Sequence, residues 1–264
     1  MRKLSISRAW EETRVVLQRE AKLIGAVALA LLVLPGLLLN AVVPATRAGE
    51  MPAPGIWIVA GLVALLISLV GQLSIVRLAM GPPTTVGQAI EHGARRTLPL
   101  LGAFLIWALP LLILLSSLYA MLRADPAHPS GVVALGMLAL SVAGIFLAVR
   151  LLLVGPVASA EPIGSVGILK RSWEITAGNW WRLFGFVLIF FVGVIVVLLA
   201  SASILGLIAR MFLGGVEQLS LGWLVVMLAS QLLSSLVYVV LFVMQARLYV
   251  QHAAIADETA EVFR

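Results

Sequence analysis

The sequence predicts an all-α polytopic membrane protein: six transmembrane helices in three hairpins, each preceded by a cytoplasmic amphipathic interfacial helix. Three observations carry that prediction. Only 11% of the 264 residues are charged, against about 25% in a soluble domain, and the mean hydropathy is +1.11. Apolar residues form six unbroken runs, at 23–43, 56–76, 98–122, 131–149, 183–209 and 221–244, none holding Asp, Glu, Lys, Arg or His. Fifteen of the eighteen Lys and Arg fall before the first run, after the sixth, or on the second and fourth connections. A helix crosses a hydrocarbon core of roughly 30 Å with about 20 residues. The runs are continuous rather than alternating, which excludes a β-barrel. A soluble fold would have almost no polar face to cover six such helices.

The chain opens on a basic segment. Ile6, Ala9, Trp10, Thr13, Val16 and Leu17 recur at helical spacing, with Arg8, Glu11, Arg14, Gln18 and Arg19 mostly on other faces. A basic helix with Trp on its apolar side lies in the interface plane. The run at 23–43 follows. A signal peptide is its rival reading, with "VVPA" ending at Ala45 as the cleavage site. A signal's apolar region usually spans about 7–15 residues, so this longer run is expected to stay as the first helix. The second run ends at Arg77. Val86, Ile90, Gly93 and Thr97 then form a weaker amphipathic face, and Thr85 with Gln88 fits a capping box. The third and fourth runs end at Arg150. The stretch "KRSWEITAGNWWR", 170–182, holds three of the seven Trp. Leu169, Trp173, Thr176 and Trp180 share a helical face. Gly178 suits a left-handed turn that ends this helix, and Asn179 can help satisfy the turn. The segment is therefore an elbow from a helix on the membrane into the fifth span. The sixth span ends near Arg247, and Asp257, Glu258 and Glu261 form an acidic tail.

"RAWEET" from Arg8 and "RSWEIT" from Arg171 agree at four of six positions. "RLAMGPP" from Arg77 and "RLLLVGP" from Arg150 are also alike. One membrane domain, 1–264, is expected to contain three diverged units at 5–80, 84–157 and 165–250.

Short connections rich in Lys and Arg stay cytoplasmic, which places both termini inside and the chain in a multi-pass plasma membrane. The formal charge of +6 lies on that face. It suits membrane lipids, anionic ones included, with a membrane-protein partner or a second copy of the chain as further partners. No nucleic-acid module is present. The expected interfacial or headgroup-facing residues are Trp10, Lys170, Arg171, Trp173, Trp180, Trp181 and Arg182, since Trp rings favour the headgroup zone.

Chemistry is sparse. There is no Cys, which excludes disulfides and thiolate sites. His92, His128 and His252 have no ligand-like partner at helical or loop spacing, and no phosphate-binding loop appears. No catalytic residue, metal or cofactor is therefore expected. Glu161 lies between Pro156 and Gly164, where it pairs with Arg150 or an elbow arginine. Inside the runs only neutral polar groups occur. Gln231, Ser234 and Ser235 are the best candidates for a polar cavity, against simple helix–helix bonding at about 0.6 kcal/mol each.

The elbow also carries a resemblance. Arg171, Ser172, Trp173, Thr176, Gly178, Trp181, Arg182 and Phe184, preceded by "GPVASAEPIG" with Pro156 and Glu161, resemble the membrane domain of bacterial membrane-bound glycerophosphodiester phosphodiesterases. Stand-alone YciC-like multi-pass proteins are similar. The resemblance is best over 150–191 and implies a bacterial inner membrane. It carries no phosphodiesterase activity, because that belongs to a separate soluble barrel. The expected function is non-enzymatic organisation of lipid or of a partner membrane protein at the cytoplasmic leaflet. The alternatives are a transporter or permease subunit, and a lipid-modifying enzyme using Glu161 and His92.

Overall fold

A computed structural model describes residues 5–44, 53–81, 84–124, 131–215, 217 and 220–262. Arg2, Lys3, Ala45, Arg47, Glu50, Asp125, His128 and Arg264 lie outside the described residues. The protein is all-α among these residues. Six helices are long and apolar enough to cross a membrane: Ala21–Val42, Ile56–Met80, Val86–Arg123, Gly131–Ala160, Trp180–Phe212 and Leu221–Ala253.

Helix α1 (Ile6–Arg19) begins where the Ser5 hydroxyl accepts the Arg8 N–H. The first span is α2 (Ala21–Ala28) and α3 (Leu34–Val42), joined by a π turn at Leu29–Val33. Pro35 explains the turn. It has no N–H for the Leu31 carbonyl, and its ring crowds that oxygen. The chain responds by widening, with the Leu34 N–H bonding the Leu29 carbonyl. The second span is α4 (Ile56–Met80), ended by Gly81 at φ 120°.

Helix α5 (Val86–Ala124) corrects an expectation. No elbow separates an interfacial segment from the third span; one 39-residue helix makes both. At 1.5 Å per residue it is about 58 Å long, so its first turns lie beyond the hydrocarbon. The predicted capping box starts it: the Thr85 N–H reaches Gln88 Oε1 at 3.1 Å and the Gln88 N–H reaches Thr85 Oγ1 at 3.3 Å. Thr97 and Pro99 lie inside the helix. Pro99 does not break the helix, and the Ser165 hydroxyl donates to the Pro99 carbonyl at 2.8 Å, which ties α5 to the segment 165–176.

The fourth span, α6 (Gly131–Arg150), turns at 151–153 into α7 (Val154–Ala160). Helix α7 is the most enclosed element, with Val154 to Ser159 all buried. It packs on α4, α5, α8 and α10. Its small residues allow this approach, and Pro156 falls in the first turn, where an N–H has no helical partner anyway. Helix α8 (Ser165–Thr176) leads through Gly178, at φ 79°, into α9 (Trp180–Phe212). Helix α10 (Leu221–Val262) returns to α2, α3 and α4, so the last span packs beside the first.

One contact recurs three times near the Arg-bearing ends. Thr13, Thr97 and Thr176 are buried, and each donates its hydroxyl to the carbonyl four residues earlier, at Ala9, Gly93 and Ser172. Each small residue lets its helix approach a span closely: α1 on α10, the start of α5 on α4, and α8 on α6. Ser172 Oγ and Thr176 Oγ1 also donate to the Arg150 carbonyl, at 3.0 and 3.1 Å. The buried face of α1 holds the expected Ala9, Thr13 and Val16, whereas that of α8 differs from the expected one. Ile168, Ser172, Ile175 and Thr176 face inward on α8, while Trp173 stays exposed. Trp10 is likewise exposed on α1. A ring the size of Trp would hold the helices apart, so it is carried at the rim.

The core sits at the end bearing Arg77, Arg150 and Arg247. Leu73, Ile75, Val76, Leu153, Val157, Ile175, Leu183 and Met244 are among its fully buried side chains. Large apolar side chains at the far halves, such as Ile113, Leu135, Leu199 and Leu207, remain exposed, as lipid-facing residues do.

Candidate functional site

The elbow is built from the backbone outward. Ala177 closes α8, its N–H bonding the Trp173 and Glu174 carbonyls. Gly178 takes the positive φ, a conformation easily open only to glycine. The Asn179 carbonyl then accepts the Arg182 and Leu183 N–H groups and starts α9. The Asn179 side chain gives no cap; its Oδ1 is buried without a hydrogen-bond partner.

The predicted interfacial residues separate into two groups. Trp180 packs inward, stacked on Phe184 with ring centroids 5.1 Å apart and near Phe146 at 5.7 Å. Its Nε1 is buried with no partner, and its ring packs within the elbow. Trp181 is 78% exposed. Lys170 and Trp173 border a small recess of about 250 Å³ with Trp107 and Leu169. Trp10 on α1 and Trp181 with Arg182 on α9 meet at one end of a larger apolar groove of about 740 Å³, walled by α1, α9 and α10.

Glu161 resolves the ion-pair alternatives. Its Oε1 accepts Arg171 Nε at 3.0 Å and the Tyr249 hydroxyl at 2.8 Å. The partner is thus the elbow arginine, and the Arg150–Glu161 pair is not formed. Arg150 lies 4.8 Å over the Trp173 ring and 5.4 Å over the Phe146 ring, and its Nε and Nη1 are buried without a hydrogen-bond partner. Its chain leaves α6 under α8, so aromatic faces enclose the guanidinium. The Glu161 hydrogen bond, then its charge, raise the Arg171 guanidinium above its ordinary value against partial desolvation, and Arg171 also reaches Glu174 at 3.6 Å.

Sequence reasoning missed Arg96 and Glu12 as polar contributors, and the partner of His92. Arg96 Nε donates to the Ala158 carbonyl at 2.7 Å, and its Nη2 to those of Glu161 and Ile163. This cation therefore seals the C-terminal end of α7, where carbonyls lack helical partners. His92 Nε2 meets the Ser159 carbonyl at 2.8 Å, which occupies the ring nitrogen nearest the Ser159 hydroxyl. Glu12 joins α1 to α10, accepting Arg247 Nε and Nη2 at 2.9 Å each. The Arg96 and His92 contacts with α7 had no signal, since α7 does not look like a separate helix in the sequence.

The polar-cavity candidates divide as well. A cavity of about 390 Å³ lies between α3, α4 and α10, and Ser68, Gln72, Gln231, Ser235 and Tyr238 are the polar residues that line it. Ser234 does not line it. Gln231 Nε2 donates to the Leu32 carbonyl at 3.2 Å, at the π turn. Gly36 makes room for that amide, because a Cβ there would collide with it. Ser235 Oγ is buried without a partner. Among the described residues, no group of three His, Asp or Glu comes together as a metal site.

A family profile described as "Domain of unknown function (DUF7847)" matches residues 5–252. The chain belongs to that family. The DUF7847 match includes the elbow, the groove and the polar cavity alike, so they are parts of one family domain. No curated protein and no solved structure matches the chain.

Proposed function

We propose that this protein is a non-enzymatic organiser of lipid at the cytoplasmic leaflet, with both termini on that side. The observation that supports the reading best is the outward presentation of Lys170, Trp173, Trp181 and Arg182 around a rigid elbow. The rings suit the interfacial zone and the cations suit phosphates. Arg171 is a poor probe of this role because Glu161 and Glu174 already hold it. The test is binding to vesicles of phosphatidylcholine with and without phosphatidylglycerol, using reconstituted protein and lipid-selective mass spectrometry. Lys170→Gln with Arg182→Gln should abolish enrichment of the anionic lipid. Unchanged enrichment would refute the lipid role of the elbow.

A transporter or permease subunit is the second reading. The cavity of Ser68, Gln72, Gln231 and Ser235 supports it, because these polar groups lie within runs otherwise apolar. Solute flux into proteoliposomes that Gln72→Leu abolishes would favour this reading over the first.

A further inference from the structure

The apolar groove has the form of an amphiphile. Its polar lining residues, Ser7 and Arg182, lie in the first turns of α1 and α9. Beyond them the lining is entirely apolar, continuing along α9 to Val197. From Gly185 to Val197 is 12 residues, or about 18 Å of helix. One leaflet of a roughly 30 Å hydrocarbon core is about 15 Å deep. The groove therefore starts at a cation and runs for about one leaflet.

Gly185 and Gly193 open its floor. They are eight residues apart on α9, on the same side, and a Cβ at either would meet nothing within 4 Å. Neither glycine is needed for a turn or a close helix contact, and each weakens a helix by about 1 kcal/mol relative to Ala. Their absence of side chains leaves space on the α9 face turned to α1 and α10. Trp10 and Trp181 border the polar end, where amphipathic rings sit at headgroup level.

We infer that this groove is a binding site for one glycerophospholipid, with an acyl chain laid along Gly185, Ile189, Gly193 and Val197 and its phosphate at Arg182 and Ser7. The site rests on the proposed lipid role and narrows it from a surface to a single bound molecule. Arginine matches phosphate geometry with paired N–H donors.

The experiment is native mass spectrometry of the full chain reconstituted in phosphatidylcholine–phosphatidylglycerol nanodiscs. The wild type should retain one phospholipid per chain. Gly193→Leu and Gly185→Leu should each reduce retention at least tenfold by filling the groove. Gly144→Leu, on α6 and equally open, should not. Photo-labelling of the wild type with a phospholipid bearing a mid-chain diazirine provides a measurement independent of folding, and its adducts should map to 185–197. Undiminished retention in both filled variants, or adducts confined to other helices, would overturn the site. Enrichment of phosphatidylglycerol around the filled variants would then still uphold the elbow reading. Unchanged enrichment in Lys170→Gln with Arg182→Gln would remove the elbow reading, whichever way the groove test falls.

Discussion

The carboxylate of Glu12 should be the strongest single fastening of α1. Its two oxygens serve different partners. Arg8 Nε binds Oε1 at 2.8 Å within α1, and that arginine's side chain is 72% exposed. An exposed i,i+4 pair of this kind contributes about 0.3–0.5 kcal/mol. Arg247 binds Oε2 across to α10, and the two side chains are only 19% and 21% exposed. Arg247 also reaches the Ala79 carbonyl of α4 at 3.4 Å. Breaking a fully buried pair costs about 3–5 kcal/mol, and a fully exposed pair contributes about 0–1 kcal/mol. With about a fifth of each side chain in contact with solvent, Glu12→Gln should cost about 2 kcal/mol, between those limits. For a chain of this size that corresponds to a fall of about 4–8 °C in Tm. The assay is equilibrium unfolding in nanodiscs of Glu12→Gln, Arg247→Met and the combination Glu12→Leu with Arg247→Met. The combination should recover most of the loss, since a buried pair replaced on both sides leaves no stranded charge. In 1 M salt the screening length shrinks to about 3 Å, so the Arg8 contribution should vanish while the Arg247 contribution persists. Singles that each lose under 0.5 kcal/mol, or a combination equal to their sum, would refute this account.

Other positions test the packing. Gly93→Ala places a Cβ 2.7 Å from the Val70 carbonyl; pushing α5 off α4 should cost about 1–3 kcal/mol in unfolding experiments. Gly144→Ala should instead be neutral or stabilising, as it gains helix propensity in open space. Gly178→Ala has room for its Cβ but keeps φ 79°, so its expected loss of about 1–2 kcal/mol comes from backbone strain alone. Gly36→Ala should cost about 1 kcal/mol by displacing Gln231 from the Leu32 carbonyl, and should cost nothing in a Gln231→Ala background. Equal effects in both backgrounds would show that the amide contact contributes no stability.

Much of the architecture was legible in the chain because it follows from local physics. Six apolar runs give six long helices, as length and hydropathy alone require. The turn at Gly178 and the capping box of Thr85 and Gln88 were legible for the same reason: each is a contact among near neighbours. What was not legible depends on distant partners. The tie from Ser165 on α8 to the Pro99 carbonyl of α5 joins two helices 66 residues apart in sequence. The choice of Arg171 over Arg150 for Glu161 depends on where α7 and α10 bring Tyr249. The π turn is prompted by Pro35 but accommodated by Gln231, about 200 residues later in the chain. The Trp residues illustrate both cases. Their concentration marked the elbow, yet only the packing distinguishes Trp180, stacked inside it, from Trp181 on the rim.

The distribution of burial bears on how such a protein would handle lipid. Helices α1, α7 and α8 and the Arg-bearing ends of α4 and α10 lock together through small residues, back-bonded threonines and the contacts of Glu12, Arg96 and Glu161. Helix α9 belongs to this block only at its start: Leu183 and Phe186 are buried, and the next buried residue along it is Ala209. Between them it presents apolar side chains outward. With hydrocarbon as solvent, such faces gain nothing from the hydrophobic effect by packing on one another, so a gap beside α9 carries little penalty. A rigid polar block that fixes Arg182, joined to a helix that leaves space along one leaflet, is the arrangement a lipid site requires. In the proposed site the fold would position the headgroup end, and lipid would fill the chain end.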